Sequence, residues 1–254
     1  MCSLYKKKDP TEISNYRLIT LLNTDYKILT KALALKLIVE IEHLIHSDQA
    51  GFIQNHTIFN QTHLVQTIID YAETTKENRA IVALDQEKAY DKIKHDYLWV
   101  TMEKFEIPHT FTNTIKFLYE NVHTMVAING IFSKLYKVTC DIKQGNPLSC
   151  ALFDLAIEPL ACRLQSDQRL HGYNISGSEG NLITSLFADN TCIFLSKNDR
   201  MDDVQSILNE WCQASGARFN IGKTEIILIG SLNYCNQVIT TRKLNPLDYK
   251  GFDE

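Results

Sequence analysis

The sequence lacks the signals that would mark a membrane, secreted or zinc protein. No apolar run approaches the roughly 20 residues that a membrane-spanning helix needs, and no apolar stretch of a secretory signal follows the first lysines. The seven cysteines form no CxxC pair, and the eight histidines form no HExxH pattern. An odd number of scattered cysteines is typical of a reducing compartment. We therefore expect a cytoplasmic or nuclear protein with no membrane partner.

An excess of basic charge is missing as well. Lys and Arg number 26 and Asp and Glu number 30, which gives a formal net charge of −4. Proteins that bind many phosphates usually present a basic surface, so this balance counts against strong independent binding of nucleic acid, although it is compatible with a local basic groove. With no repeat or low-complexity linker in its 254 residues, the chain is predicted to form one continuous domain.

The hydrophobic pattern predicts an α+β fold. Apolar spacings of three and four residues predict helices, and short apolar or β-branched runs beside turn residues predict strands and hairpins. Helices are predicted within 14–45, 59–71, 95–105, 111–122, 148–164 and from about 202 to 215, and strands at 80–84, 124–128, 131–139, 182–186, 191–195 and 224–229. Two of the strand pairs are predicted hairpins, one turning at Asn129-Gly130 and the other at Asp189-Asn190, so antiparallel pairing is expected. The residues after 230 show no clear element.

Two aspartates carry the strongest chemical signal. Asp85 ends a buried strand and Asp189 lies at the tip of a hairpin, with the loop QGNPLS at residues 144–149 between them. Carboxylates on adjacent strands can share divalent ions, because Mg²⁺ binds through one or two carboxylates together with substrate phosphates. An Asp after an apolar run is more commonly a turn residue or a helix cap. The pattern alone leaves both interpretations open.

The motif order resembles the reverse transcriptase domain of non-LTR (LINE-type) retrotransposons. The first catalytic motif is matched by DQEKAYD at 85–91, the second by QGNPLS at 144–149 and the third by FADN at 187–190. The segment SGARFNIGKTE at 215–225 matches the region after the third motif, and NYRLITLLN at 15–23 and DQAGF at 48–52 match motifs of the fingers. Together the motifs cover roughly residues 4 to 230, in order and at family spacing.

This resemblance implies a right-hand polymerase with fingers and palm, in which helices pack on an antiparallel palm sheet. We expect the reverse transcriptase domain at residues 1–230, a tail of unclear structure at 231–254, and a thumb that is absent or vestigial. The implied activity is RNA-directed DNA synthesis, in which two Mg²⁺ ions support transfer of a nucleotide from dNTP to a primer 3′-hydroxyl. The implied partners are an RNA template, a DNA primer and dNTP.

The resemblance also implies which residues form the catalytic centre. Asp85 and Asp189 match the metal ligands, and Asn190 stands at the position of a further carboxylate ligand, so its metal binding is expected to be weak or lost. Lys223 matches a lysine that protonates or neutralises the departing pyrophosphate. The alternative for Lys223 is a solvated lysine beside a strand.

Four further residues match substrate-binding positions. Tyr90 matches the aromatic residue that packs under the sugar and excludes a 2′-hydroxyl, and its alternative is a core aromatic side chain. Gln144 and Gly145 match the loop that approaches nucleotide and template, where glycine permits close contact because it lacks a Cβ atom. Arg17 matches a residue that contacts phosphate or template, and its alternative is an ordinary surface arginine.

Departures from the family pattern cluster at these motifs. Asn190 and Asn146 each replace an aspartate, Cys140 and Asp141 occupy an Arg-Gly pair, and Lys143 stands for a second arginine. We therefore expect a reverse transcriptase fold with impaired catalysis. A remnant of that fold that binds nucleic acid or a partner protein without catalysis is the alternative, and a helical interaction module with a purely structural hairpin is a third hypothesis.

Overall fold

The computed structural model describes residues 2–6, 9–12, 15–53, 57–120, 122–128, 130–174 and 180–241. In chain order the elements are β1 (Cys2–Tyr5), β2 (Tyr16–Ile19), α1 (Thr24–Leu44), α2 (Ile58–Thr75), β3 (Arg79–Asp85), α3 (Ala89–Lys92), α4 (His95–Lys104), α5 (His109–Tyr119), β4 (His123–Thr124), β5 (Ala127–Ile128), β6 (Ile131–Phe132), β7 (Tyr136–Lys137), α6 (Ser149–Ser166), β8 (Tyr173–Asn174), β9 (Asn181–Leu182), β10 (Thr184–Phe187), β11 (Asn190–Ser196), α7 (Met201–Ser215), a 3₁₀ turn (Ile221–Lys223), β12 (Glu225–Ile229) and α8 (Leu232–Thr241).

The chain divides into two compact units, each assembled from two segments. The first unit comprises Met1–Leu44 and Tyr90–Ala156, and the second comprises Ile45–Ala89 and Ile157–Glu254. The predicted limits of 1–230 for the reverse transcriptase domain and 231–254 for the tail stay predictions. Within the described residues, no helix is both long enough and apolar enough to cross a membrane.

The first unit combines a small sheet with helices. Its strands run in the order β2-β1-β5-β6, and β4 pairs with β7. The neighbouring pairs are antiparallel except β1 and β5, which meet in parallel at Cys2 and Ala127. Helices α4 and α5 pack together, and the rings of His95 and Trp99 in α4 both meet the Tyr119 ring of α5 edge-on. These aromatic contacts fill the space beside the loop that precedes α6.

The second unit is built on an antiparallel sheet in the order β10-β11-β3-β12. Strand β3 is central, because β11 pairs along one side of it and β12 along the other. Buried residues of α2, β3, β8, β11 and β12 form one cluster: Ile68, Ala72, Ile81, Tyr173, Phe194 and Ile229. Helix α7 also buries an apolar face and ends at Gly216, whose φ of 81° is the left-handed conformation that glycine adopts most readily. The sheet is therefore held by buried side chains along most of its length.

Most predicted elements are confirmed, with three corrections. The predicted helix over 14–45 begins only at Thr24, because Tyr16–Ile19 pairs with β1 as a strand. The tail that showed no clear element contains α8, while residues 242–254 lie outside the described part. The second predicted strand pair is split, since β5 pairs with β6 and β4 with β7; Asn129 of its predicted turn also lies outside the described residues.

The hairpin that carries Asp189 is confirmed, but its turn lies one residue earlier than predicted. The predicted turn was Asp189-Asn190, but Phe187 pairs with Asn190, so the two turn residues are Ala188 and Asp189. Ala188 has a φ of 54°, which supplies the left-handed residue that a tight hairpin needs. Asn190 is consequently the first residue of β11 rather than part of the turn.

Candidate active site

Asp85 of the first motif and the FADN residues of the third motif meet at one end of the sheet in the second unit. Asp85, the last residue of β3, lies directly opposite Asn190, the first residue of β11. Opposed residues of an antiparallel pair have Cα atoms roughly 4.5–5.5 Å apart, and Asp189 precedes Asn190 in the hairpin turn. The fold therefore brings two carboxylates and one amide side chain to the same sheet end.

Lys223 is delivered to this end by the segment after α7. The N–H of Asn220 donates to the carbonyl oxygen of Asp85, and the N–H of Glu87 donates to that of Arg218, both at 2.8 Å. The 3₁₀ turn that follows places the Lys223 Nζ atom 2.8 Å from Oδ2 of Asp85. Both side chains retain contact with solvent, with exposed fractions of 64% for Lys223 and 26% for Asp85. The ammonium group is thus a direct partner of the Asp85 carboxylate, a contact that the sequence pattern did not predict.

Tyr90 belongs to the first unit and packs as a partly buried aromatic residue. Its ring stacks on Phe153 of α6 with centroids 4.8 Å apart and planes inclined by 18°, and its hydroxyl donates to the Cys150 sulfur at 3.8 Å. These contacts fix the ring through the same helix that follows the QGNPLS loop. Sugar discrimination by Tyr90 stays a prediction.

The QGNPLS loop is shaped by internal hydrogen bonds of the first unit. Gln144 Nε2 donates to Oδ1 of Asp91 at 2.8 Å, and the buried Asn146 accepts the N–H of Leu148 on its Oδ1 atom at 3.1 Å. Gly145 has a φ of 94°, a conformation that favours glycine. Asn146, which replaces a family aspartate, thus stabilises the loop through a hydrogen bond within it. Asp91 is a partner of Gln144 that was not predicted from the sequence.

Lys143 and Asp141, which both depart from the family pattern, interact with other residues of the first unit. The Lys143 ammonium lies 4.8 and 4.6 Å from the ring centroids of Tyr26 and Tyr119, and it donates to the Tyr26 hydroxyl at 2.8 Å. Burial lowers the pKa of Lys143 to about 8. Asp141 holds a φ of 111°, and burial, reinforced by the charge of Asp91, raises its pKa to about 7. Neither side chain copies the exposed arginine or the flexible glycine of the family pattern.

Arg17 and the DQAGF segment complete the predicted set. Arg17 is exposed on β2 and pairs through its backbone with Leu4. In the second unit, residues of DQAGF run beside β10, where Ala50 N–H donates to the Leu186 carbonyl oxygen at 2.8 Å. The motif match identified residues 48–52 as a segment typical of the family. No sequence pattern indicated that this segment would contact the hairpin that carries Asp189.

Comparisons with known proteins identify the family. The sequence matches the family described as reverse transcriptase (RNA-dependent DNA polymerase) over residues 5–253, and the chain belongs to this family. It is 33% identical over 229 residues to the Transposon TX1 uncharacterized 149 kDa protein of Xenopus laevis, covering 90% of this chain and 17% of that protein. It is 24% identical to the probable RNA-directed DNA polymerase from transposon BS of Drosophila melanogaster, covering 96% and 26%. The chain therefore spans about a sixth to a quarter of the lengths of these relatives, and the predicted LINE-type reverse transcriptase domain is confirmed.

The fold is also found in solved structures. A telomerase from Candida tropicalis, determined in complex with the TWJ fragment of telomeric RNA, aligns with a TM-score of 0.60 at 15% identity, covering 80% of this chain and 35% of that chain. This likeness confirms the predicted α+β reverse transcriptase fold. It concerns the fold alone.

The reverse transcriptase family generally depends on divalent metal, and the side chains at the sheet end include oxygen atoms that could bind such an ion. Asp85 and Asp189 offer carboxylate oxygens and Asn190 offers an amide oxygen, which are the hard ligands that Mg²⁺ prefers. Among the described residues, however, no group of three or more His, Cys, Asp or Glu side chains could hold a metal ion. The sheet end thus offers two carboxylates and one amide oxygen, a donor set that a divalent ion can use when substrate phosphates complete its coordination.

Proposed function

We propose that this chain is an RNA-directed DNA polymerase domain whose nucleotidyl transfer is impaired at its third catalytic motif. The observation that carries the proposal is the register of the central sheet, which sets Asn190 directly opposite Asp85. An amide therefore stands where the family places a further carboxylate. The frame for catalysis is kept, while one charged ligand is missing.

Within this proposal, the residues of the sheet end have distinct roles. Asp85 and Asp189 would hold Mg²⁺, which when bound activates the primer 3′-hydroxyl and stabilises the leaving pyrophosphate. Lys223 places a positive charge at Asp85. Its Nζ atom is suited to neutralising the departing pyrophosphate or to donating a proton to it. Tyr90 is proposed to discriminate the sugar of the incoming nucleotide.

The loop and strand residues of the first unit are proposed to bind substrate. Gln144 and Gly145 would contact nucleotide and template, since the exposed backbone at Gly145 has no Cβ atom to hinder approach. Arg17 is exposed and positively charged, which suits a phosphate contact. The proposed partners are an RNA template, a DNA primer and dNTP, and RNA binding is supported by family membership.

The charge at the sheet end explains why the rate should be low. Two carboxylates and one ammonium leave a single net negative charge to attract dications. A carboxylate within about 4 Å of a dication contributes several kcal/mol at an effective dielectric of about 20. A loss of about 3 kcal/mol in transition-state stabilisation lowers a rate by roughly a hundredfold.

Primer extension tests the proposal directly. An RNA template with an annealed DNA primer, dNTP and Mg²⁺ is expected to give slow extension by the native chain. Extension should disappear in Asp189→Ala and after chelation of the metal. Equal extension by the native chain and Asp189→Ala would show that the hairpin carboxylate has no catalytic role and would contradict the proposal.

A second candidate, a remnant that binds nucleic acid or a partner protein without catalysis, is favoured by one observation. Asp85 is already paired with Lys223, which reduces its charge toward metal. This candidate predicts no extension even with Asn190→Asp. Primer–template binding that weakens steeply with salt would identify a nucleic-acid binder, and salt-insensitive or absent binding would favour a partner protein.

We also propose a reducing compartment, cytoplasmic or nuclear, for this chain. The cysteines Cys140, Cys150, Cys162, Cys192, Cys212 and Cys235 are free thiols, which supports such a location. Loss of reversible folding upon mild oxidation would be consistent with it, and full tolerance of oxidation would count against it.

A further inference from the structure

The hairpin that carries Asp189 is buttressed by a short segment from the start of the second unit. Residues 48–50 run parallel to β10: Leu186 N–H donates to the Asp48 carbonyl oxygen, Ala50 N–H donates to the Leu186 carbonyl oxygen, both at 2.8 Å, and Gln49 forms a bridge with Leu186. Strand β10 is an edge of the main sheet, so its outer side would otherwise present unpaired backbone groups. The segment satisfies those groups next to the turn.

Gly51 ends this segment in close contact with the turn itself. A Cβ atom built on Gly51 would lie 2.2 Å from the backbone nitrogen of Ala188 and 2.8 Å from its Cα atom. Both distances are far below van der Waals contact, and the obstacle is backbone rather than a flexible side chain. Gly51 is buried and does not have the positive φ seen at other glycines of the chain. Glycine is therefore required at position 51 because a larger residue would clash with Ala188, and not because of the backbone conformation.

A side-chain hydrogen bond holds Gly51 in this position. The Gly51 N–H donates to Oε1 of Gln49 at 2.9 Å, and Gln49 is 1% exposed. Among the described residues, the Nε2 atom of the same side chain is buried without a hydrogen-bond partner. Burying an unpaired amide nitrogen costs free energy, and the hydrogen bond that this side chain does accept is the one that orients Gly51.

We propose that Gly51 is a positioning residue for the third catalytic motif: its bare Cα supports Ala188 and so fixes where Asp189 stands relative to Asp85. Gly51 touches no reacting atom. Ala188 is buried and has a φ of 54°, a conformation that a non-glycine residue holds only when its surroundings impose it. Gly51 supplies part of that surrounding surface. The proposal rests on the proposed function, because it gives the geometry of Asp189 a catalytic purpose.

The test compares Gly51 with a second crowded glycine of the second unit, Gly172, whose φ of 59° makes its replacement at least as disruptive to the fold. Gly51→Ala forces the turn to move by more than an ångström, because its Cβ would lie 2.2 Å from the Ala188 nitrogen. Gly172→Ala places its Cβ 2.4 Å from the Leu182 carbonyl oxygen, which precedes β10 at the end of the strand that is remote from the turn. Mn²⁺ serves as the probe, with affinity measured from the spectrum of the free ion. Backbone hydrogen exchange of residues 184–196 reports on the hairpin without requiring any metal.

We expect Gly51→Ala to bind Mn²⁺ at least about tenfold more weakly, since displacements of about 1 Å at a site can cost two orders of magnitude. It should also speed exchange at 184–196 more than at 225–229. Gly172→Ala should lower the melting temperature comparably and leave Mn²⁺ affinity at the native level. If Gly51→Ala does not fold, Gln49→Met replaces it, because this variant removes the acceptor of the Gly51 N–H without a clash; weaker Mn²⁺ binding and faster hairpin exchange are expected.

Three results would overturn the proposal. The first is native Mn²⁺ affinity in Gly51→Ala, the second is unchanged hairpin exchange in that variant, and the third is an equal loss of Mn²⁺ affinity in Gly172→Ala. Failure of the proposed function has a different signature, namely Mn²⁺ binding by the native chain that Asp85→Asn does not weaken. Hairpin exchange in Gly51→Ala then still decides whether Gly51 fixes the turn.

Discussion

Two regions of this chain carry reverse transcriptase motifs, and they have changed in different ways. At the sheet end of the second unit, Asn190 replaces a carboxylate by an amide of nearly the same shape, and the register with Asp85 is regular. Beside the loop of the first unit, Asp141 holds a positive φ of 111° and has a buried carboxylate oxygen with no hydrogen-bond partner among the described residues. The first region has an amide in place of a carboxylate at little conformational cost, whereas the second carries conformational strain.

The difference shows that fold and catalysis depend on separate properties of the same motifs. The sheet end is fixed by backbone pairing, which an exchange between Asn and Asp at position 190 leaves intact. The loop depends on particular side-chain and backbone chemistry, so a substitution there is absorbed by new contacts such as those of Lys143 with Tyr26 and Tyr119. Restoring the family residue should therefore change activity in one region and stability in the other.

The largest expected effect is on catalysis at the sheet end. Asn190→Asp should raise the rate of primer extension by about a hundredfold, because the added carboxylate contributes about 3 kcal/mol toward the metal-bound transition state. Asn198→Asp is the matched control, since it adds the same charge at an exposed turn after β11. A gain shared by both variants would mean that net charge, rather than position 190, limits the rate.

The next effect is on stability in the first unit. Asp141→Gly should raise the free energy of unfolding by about 2 kcal/mol, since it removes both a strained φ and a buried unpaired oxygen, less the entropy that glycine adds to the unfolded chain. Asp141→Asn, which keeps the strained backbone, should give a smaller gain. Chemical denaturation checks this order, and a destabilised Asp141→Gly would contradict the account of this loop.

The same aspartate predicts a pH dependence of stability. Burial and the neighbouring Asp91 raise the pKa of Asp141 from 3.8 to about 7 in the folded protein, so the folded state binds this proton more tightly than the unfolded state. Its stabilising contribution is complete below pH 3.8 and is lost as pH rises through about 7. The stability difference between the native chain and Asp141→Asn should thus shift against the native chain over this window, and a constant difference would refute the assignment.

The smallest effect sharpens the role of Lys223. Lys223→Met should raise Mn²⁺ affinity by about two- to fivefold, because a partly exposed ion pair is worth up to about 1 kcal/mol and its loss frees Asp85 for the cation. Lys116→Met removes a comparable surface pair with Glu103, 3.1 Å long, in the other unit. Affinity that falls in Lys223→Met would show that the lysine assists metal binding instead of competing with it.

The elements that were predicted correctly are those whose own residues carry a clear apolar pattern or clear start and stop signals. The run 80–84 became β3 because its residues are buried by neighbours on both sides, and α7 formed between the acidic residues of its first turn and Gly216. The strand at Tyr16–Ile19 was missed because it is defined by pairing with β1, which local spacing cannot show. Helix α8 was missed although apolar residues recur along it, and of its residues 232–240 only Val238 is buried.

The candidate site was predictable in its residues but not in its contacts. Motif order identified Asp85, Asp189 and Lys223, and the sheet brings them to one end. The direct bond between Lys223 and Asp85 depends on backbone pairing of 218–220 with 85–87. The support of the hairpin by Gly51 depends on a contact across more than a hundred residues of sequence. Such long-range contacts are set by the fold and have no local signature.

The central claim, that the sheet end is a catalytic frame lacking one carboxylate, is tested most directly by the number of Mn²⁺ ions it binds. Electron paramagnetic resonance of free Mn²⁺, in the presence of primer–template and dNTP, should show about one protein-dependent ion in the native chain and about two in Asn190→Asp, since each ion needs one or two carboxylates with substrate phosphates. Asp85→Asn should abolish binding in both backgrounds. The same number of ions in the native chain and Asn190→Asp would contradict the claim.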